Sequence, residues 1–505
     1  MGLPQGALAA AAAEDLAQLG PGAVILFARN VTTLAATREL IAAARAAAGG
    51  DAPALACVDQ EGGRVARLRF AEPGVPAMLA LGATDDEELA ERVGARHARD
   101  IAAIGANVDF APVLDLALVP ASTVVGTRSL GDDPARVAAL GAALVRGLQR
   151  GGIASVPKHF PGHGATALDS HEALPRIDTP AAVLRARDLV PFAAAFSAGA
   201  RAVMSVHAIV AGLDPERPAT LSARVLTTLL RDELGFAGVC FTDCLQMDAI
   251  ARTAGTARGA VLALAAGADC CVVSGDLALA RAARDAIVAA VGDGSLPYAR
   301  LASAAGRLRA LRNELAARAP DPSGSREARE LDDVARMVAA RAVALVCGDV
   351  LLDLALPVTV VSFEGDAGDG VAASAAQRPS LSLALRRRRM RSELLRVPLE
   401  PDAAMREMLL EVLAAQGPRG IVLVARRAHR YAAQRATLAA LLAAAPHAVA
   451  VSALEPFDVP LLRGARGVAC TFDDGEASVD ALADVLVGRA TATGRVPVTL
   501  GTVPA

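Results

Sequence analysis

The sequence predicts an α/β fold: a (β/α)8 TIM-type barrel followed by a smaller open α/β sandwich domain. Three observations carry this expectation. Short apolar runs alternate with longer alanine- and leucine-rich helical stretches up to about residue 318; five of those runs end in ionisable residues; and a Pro/Ser/Gly stretch then opens a second alternating region. At 505 residues the chain also exceeds what one ordinary core accommodates, so two domains are expected.

The strand-like runs of the first region are GAVILFA from Gly22, ALACV from Ala54, NVDFAP from Asn107, GIASVP from Gly152, RAVMSV from Arg201, GVCFT from Gly238 and DCCVVS from Asp269. Helical stretches fall between them, at 32–48, 86–103, 134–150, 180–199, 222–234 and 254–267. Strands that are apolar throughout, alternating with helices, mark a parallel sheet covered on both faces. Seven such strands suit an eight-stranded barrel with one strand blurred; a doubly wound open sheet is the structural alternative. In a barrel, chemistry gathers at the C-terminal ends of the strands. Here ALACV ends at Asp59, NVDFAP runs on to Asp115, GIASVP to Lys158 and His159, RAVMSV to His207, and GVCFT to Asp243.

Residues 319–325, APDPSGS, read as a linker, and a helix follows over about 326–345. Beyond it PVTVVSF, GIVLVA, AVAVSA and GVACTF alternate with helices, as in a small open α/β sandwich. The resulting division is 1–318, 319–345 and 346–505. The arginine run from Arg386 to Arg389 reads as a solvated helix face. GDAGDG from Gly365 lacks the dinucleotide-binding spacing and reads as a turn.

Composition narrows the function classes. A net charge of −3 provides no general attraction to nucleic acid or anionic lipid, and no apolar run reaches membrane-spanning length. The alanine-rich N-terminus has no Lys or Arg before Arg29 and is interrupted by Glu14 and Asp15. That is a poor match to a secretory signal, so a cytoplasmic location is expected. Seven cysteines, an odd number at no metal-ligand spacing, read as reduced core residues. Among the 51 basic residues there is one lysine, Lys158. A chain that uses arginine everywhere else and keeps an ammonium there points to a site needing a compact charge on a flexible stem.

Lys158 opens the densest stretch of the chain, KHFPGHGATALDSHEALP over 158–175, which holds three of the seven histidines and the pair Asp169 and His171. Pro161, Gly162 and Gly164 make it a loop, and its length after a strand suggests a mobile lid. Zinc binding by His159, His163, His171 and Asp169 is the first alternative. It is disfavoured, because the i,i+4 histidine pair lies in a Pro/Gly loop and the adjacent lysine repels a cation. No metal and no organic cofactor is expected.

Taken together, VDQEGGRVARL (58–68), GTRSLGDDP (126–134), KHFPGHG…DSH…LP, VMSVHA and GVCFTDCLQM resemble the β-N-acetylglucosaminidases of glycoside hydrolase family 3, in order and spacing across about residues 20–290. The second region, ending in TGRVPVTL, is similar more loosely to that family's second domain. The resemblance implies an exo-acting, retaining hydrolase in which Asp243 forms a covalent glycosyl-enzyme. A carboxylate at a strand end suits attack on an anomeric carbon, and it equally suits the N-cap of a following helix. The resemblance further implies that His171, oriented by Asp169, is the acid/base where most retaining glycosidases use a second carboxylate. Asp59, Arg128, Lys158 and His159 are the implied sugar contacts, with Asp115 and His207 as further candidates; pairing of Asp59 with Arg64 is a structural alternative.

The implied partner is a small saccharide, such as a muropeptide or chitin-type fragment. With no tryptophan and 3% aromatic residues, an extended stacking platform for polysaccharide is not expected. Two positions depart from the pattern: Cys244 stands where many such relatives carry a second acid, and Leu130 where an aromatic is common. A phosphorylase or broader β-glucosidase of the same family and a non-catalytic sugar-binding relative are the remaining alternatives.

Overall fold

The computed structural model describes residues 1–70, 73–170, 173–275, 277–318, 331–365 and 379–501. Every apolar run of the first region becomes a strand: β1 (Ala23–Leu26), β2 (Leu55–Val58), β3 (Val108–Asp109), β4 (Ala154–Ser155), β5 (Ala202–Ser205), β6 (Val239–Cys244) and β7 (Cys270–Val272). All residues of β1, β2 and β5 are buried, as strands covered on both faces require.

The strands form two parallel sheets, in the orders β1-β2-β3-β4 and β7-β6-β5. Backbone hydrogen bonds run between the sheets at both margins. On one side Met204 N–H donates to Pro157 O at 3.0 Å and Phe160 N–H to Met204 O at 2.8 Å. On the other, residues 1–3 lie between β1 and the end of β7: Gly2 N–H donates to Val273 O at 2.9 Å and Ile25 N–H to Met1 O at 2.8 Å. Ile25, Leu55, Val108, Val156, Met204, Val239, Phe241 and Val272 pack in one buried cluster, so strands of both sheets share a core. Within it the Phe110 and Phe241 rings meet edge to face at 5.3 Å, and truncating a buried ring of this kind costs about 3–5 kcal/mol.

Helices fall where the periodicity places them, including Leu34–Ala48, Glu87–Ala103, Pro134–Arg150, Arg224–Glu233 and Thr256–Ala266. Asp133 shows how one begins: its carboxylate accepts the N–H groups of Ala135 and Arg136, and Pro134 supplies a pre-set first helical position. The stretch expected to be one helix over 180–199 is two, Ala181–Ala186 and Val190–Ser197. Pro191 has no N–H for the preceding turn, so the helix must restart there.

The second region is a six-stranded sheet of β8 (Ala344–Gly348), β9 (Val358–Glu364), β10 (Ser392–Pro398), β11 (Gly420–Ala425), β12 (Val449–Ser452) and β13 (Gly467–Cys470), in the order β8-β13-β12-β11-β9-β10. All neighbours are parallel except β8 with β13. Val360, Val422 and Val451 pack with Leu385 and Leu482 on one face; Val361, Leu423 and Ala450 pack with Leu409 and Leu438 on the other. Helix Val334–Ala342 falls inside the predicted 326–345 span, while the linker 319–325 and most of GDAGDG lie outside the described residues.

The arginine run departs from expectation at one residue. Arg386, Arg387 and Arg389 are exposed, as a solvated face requires, and Arg388 is the exception: it is half-buried and pairs with Asp480 and Asp484 of the neighbouring helix. The two regions are joined through backbone and side chain: Arg495 N–H donates to Ala83 O at 2.9 Å, Asp132 N–H to Pro497 O at 3.2 Å, and Ala77 N–H to Asp473 Oδ1 at 3.1 Å. Among the described residues no helix is long and apolar enough to cross a membrane.

Candidate active site

The C-terminal strand ends and the loops after them surround a cavity of about 570 Å³, lined among others by Asp59, Glu61, Arg128, Lys158, His159 and Asp243. Asp59 follows β2 directly. Gly62 and Gly63, at φ 99° and 55°, then turn the chain into a short hairpin of Gln60–Gly62 with Val65–Ala66. A side chain at either glycine would meet the backbone at Pro76 or Ala77 within 3 Å. Gln60 points away and pins the hairpin by accepting Leu68 N–H at 2.9 Å. Glu61, two residues after Asp59, therefore shares its side and reaches the cavity.

Glu61 was not singled out by sequence, yet it organises the cavity wall. Arg128 Nε and Nη2 grip its two oxygens at 2.7 and 2.8 Å, and Lys158 Nζ lies 2.6 Å from Oε1. Lys158 also donates to Asp59 Oδ1 at 2.8 Å, so Asp59 takes Lys158 as a partner. Burial alone would raise the Glu61 carboxyl, but the charges of Arg128 and Lys158 outweigh it and hold the group well below the usual carboxylate range. Burial works equally against the Lys158 ammonium, and Asp59 and Glu61 outweigh it, pushing Lys158 up. The result is a charge-balanced cluster whose donors and acceptors suit neighbouring sugar hydroxyls.

Asp115 lies behind this wall, buried. Its carboxylate accepts the backbone N–H of His159 at 3.2 Å and of His163 at 2.6 Å, and lies 2.6 Å from His159 Nδ1. Burial would raise it; His159 and His163 outweigh that and lower it. His207 is also behind the wall. Its Nε2–H donates to the carbonyl of Cys244 at 3.0 Å, and Nδ1 is 2.9 Å from Thr220 Oγ1. Burial pushes its imidazole down. The structure thus brings Asp59, Arg128, Lys158, His159 and Asp243 to one cavity and sets Asp115 and His207 behind it, against the backbone of His159 and Cys244.

Asp243 is the penultimate residue of β6, its side chain partly open to the cavity, Oδ1 accepting Cys244 N–H at 2.7 Å and Oδ2 lying 3.9 Å from His159 Nε2. The Cys244 thiol takes Ser274 Oγ as its partner at 2.8 Å, and Leu130 is buried in the core. His171 lies outside the described residues. Asp169 is buried, and Ser170 lines the cavity with its carbonyl accepting Ala249 N–H, so the long loop returns to the segment after Asp243. The mobile-lid expectation does not fit the loop's first half: Lys158, His159, Phe160 and His163 are buried and held by Asp59, Asp115 and the β5 backbone. Among the described residues no group of three or more His, Cys, Asp and Glu is placed to hold a metal ion.

Carboxylates, an imidazole and a buried ammonium are thus collected at the strand ends of an α/β fold, a set of donors and acceptors that suits a polyhydroxylated ligand. Comparison with known proteins agrees. The Glycosyl hydrolase family 3 N terminal domain matches residues 1–311. A beta-hexosaminidase of Pseudomonas aeruginosa is 44% identical over 268 residues, 53% of this chain and 79% of that protein. One of Stenotrophomonas maltophilia is 42% identical over 261 residues, 50% of this chain and 75% of its own. The solved structure of a glycoside hydrolase family 3 beta-N-acetylglucosaminidase from Paenibacillus sp. FPU-7 superposes with a TM-score of 0.91 at 33% identity, covering 100% of this chain and 97% of that one. A beta-glucoside phosphorylase, at 20% identity and a TM-score of 0.77 over 96% of this chain and 93% of its own, shares the fold. The chain belongs to glycoside hydrolase family 3, and it is a glycoside hydrolase.

Proposed function

We propose that this enzyme is an exo-acting, retaining β-N-acetylglucosaminidase that releases terminal GlcNAc from short glycans such as muropeptide or chitin-type fragments. The observation that carries the reading is the placement of the Asp243 carboxylate at the end of β6, in the same cavity as Asp59, Arg128, Lys158 and His159. Asp243 attacks the anomeric carbon, and the bond to the leaving oxygen breaks as His171 gives that oxygen a proton. In the second step His171 takes a proton from water, whose oxygen attacks the same carbon and frees Asp243. Asp169 orients the imidazole; its burial beside cavity-lining Ser170 supports that role.

The hydrogen bonds at both sheet margins, with residues 1–3 bridging β1 and the end of β7, support a closed (β/α)8 barrel over 1–318, followed by linker and helix at 319–345 and the second sheet domain at 346–505. The site of action we propose is cytoplasmic, in glycan recycling; the compartment is supported by the free cysteines, of which Cys57, Cys240 and Cys470 are buried among apolar side chains.

The test is turnover of aryl N-acetylglucosaminide against aryl glucoside, with and without phosphate, for the wild type and Asp243→Ala. Preference for the acetamido sugar, free sugar as product, first-formed β-anomer by NMR and loss of turnover in Asp243→Ala are expected. A sugar phosphate would make the enzyme a phosphorylase, preference for glucoside would make it a broader glucosidase, and full activity of Asp243→Ala would remove that residue from the mechanism.

A further inference from the structure

Arg128 enters the cavity from residues 120–128, and this segment is braced by the second region. Arg430 Nη2 donates to the carbonyl of Ser122 at 2.5 Å, and His429 Nε2 lies 3.2 Å from the carbonyl of Pro120. Closer to Arg128, the chain turns at Gly126, which has φ 44°; a Cβ there would stand 2.5 Å from Glu455 Oε1. Glu455 has no room to yield. It is buried, Arg427 Nε donates to its two oxygens at 3.0 and 2.8 Å, and Arg430 Nη2 lies 3.5 Å from Oε1.

Gly126–Arg128 is a single tight turn, closed by Arg128 N–H donating to Val125 O at 2.9 Å. Whatever fixes Gly126 therefore fixes the root of the Arg128 side chain two residues on. At the other end the guanidinium forks onto Glu61 and its Nη1 donates to the Val124 carbonyl of the same segment at 2.9 Å. A strut of Arg427, Glu455 and Gly126 thus connects the second sheet to the cavity wall.

We propose that Glu455 is a positioning residue for the reaction: it holds the Gly126–Arg128 turn so that Arg128 meets Glu61 and the sugar at the right height. The second region then takes part in substrate binding without touching substrate. This rests on reading Arg128 as a sugar contact. The effect is large because a displacement of about 1 Å in a binding group costs up to about a hundredfold in efficiency.

The experiment is steady-state kinetics on an aryl N-acetylglucosaminide for Glu455→Gln, Arg128→Ala and the double variant, with melting temperatures for each. A residue that only holds the fold lowers the fraction of active enzyme, which reduces apparent kcat at constant KM. Displacement of Arg128 weakens binding, so Glu455→Gln is expected to raise KM about tenfold or more with kcat within about threefold, and to add nothing to KM once Arg128 is alanine. Unchanged KM in Glu455→Gln, or a KM effect that adds in full to that of Arg128→Ala, overturns the proposal while leaving the pocket reading intact. Unchanged KM in Arg128→Ala overturns the pocket reading and the strut with it. Should Glu455→Gln fail to fold, Arg430→Lys leaves the buried Arg427–Glu455 pair intact, loosens the hold on Ser122, and is read by the same two outcomes.

Discussion

Asp115 holds one ring nitrogen of His159 at 2.6 Å, and the other ring nitrogen lies 3.9 Å from the Asp243 carboxylate. The same Asp115 accepts the backbone N–H groups of His159 and His163, so a single buried carboxylate fixes both the ring and the loop that carries it. Asn at this position keeps the shape but loses the charge and part of the acceptor capacity, leaving buried N–H groups short of a partner. Asp115→Asn is expected to lose about 1–3 kcal/mol of stability in urea unfolding, with a fall in kcat/KM. An unchanged unfolding midpoint would show that the loop has another anchor.

Lys158 sits between Asp59 and Glu61, nearly sealed from solvent, with the Glu61 fork already taken by Arg128. A second guanidinium has neither the space nor the geometry there. Lys158→Arg is expected to cost about 1–3 kcal/mol from overpacking and to raise KM. Wild-type kinetics in that variant would make the single lysine an accident of composition.

The parts of the site that sequence made legible are those that strand ends decide. Asp59, Lys158, His159 and Asp243 directly follow or close apolar runs, and the structure brings them to one cavity. Glu61 escaped because its direction is set by the Gly62-Gly63 turn, although its spacing of two from Asp59 was a usable signal. Asp115 lies well beyond β3, and His207 follows β5 facing Thr220; rank along the chain could not tell that both support the backbone instead of lining the cavity. The Glu455–Gly126 contact joins residues over 300 positions apart, and no local pattern encodes such a pairing. Likewise the paired Arg388 was unreadable because its acceptors, Asp480 and Asp484, come from a distant helix.

Buried histidines set the acid side of stability. Burial, with Arg96 adding to it, pulls His97 down to about 3, and burial also lowers His163 and His207 against the opposing pull of Asp115 and Asp243. In the unfolded chain these rings bind protons near pH 6.5, whereas in the fold they stay neutral, so the unfolded state holds more protons below that point. Their contribution is therefore full above about pH 6.5 and is lost as pH falls toward the folded values. Melting temperature is expected to fall progressively from about pH 6.5 to about pH 4, and His97→Leu to flatten that limb. An identical acid slope in the variant would assign the loss to other groups.

A general acid matters in proportion to how badly the leaving oxygen needs a proton: an alkoxide of a sugar aglycone needs one, and an activated nitrophenolate does not. His171→Ala is therefore expected to depress glycosylation of a disaccharide by about 10²–10⁴-fold while an activated aryl N-acetylglucosaminide loses far less. Asp169→Asn, which keeps the side chain's size but not its charge, is expected to follow the same ordering with a smaller span, since it disturbs the orientation of the acid and leaves the acid itself in place. A Brønsted plot of log kcat/KM against leaving-group pKa reads both variants at once. A steeper negative slope than the wild type's is the expected result for each; parallel lines, displaced by the same factor for every aglycone, would exclude His171 as the proton donor and place the acid elsewhere around the cavity.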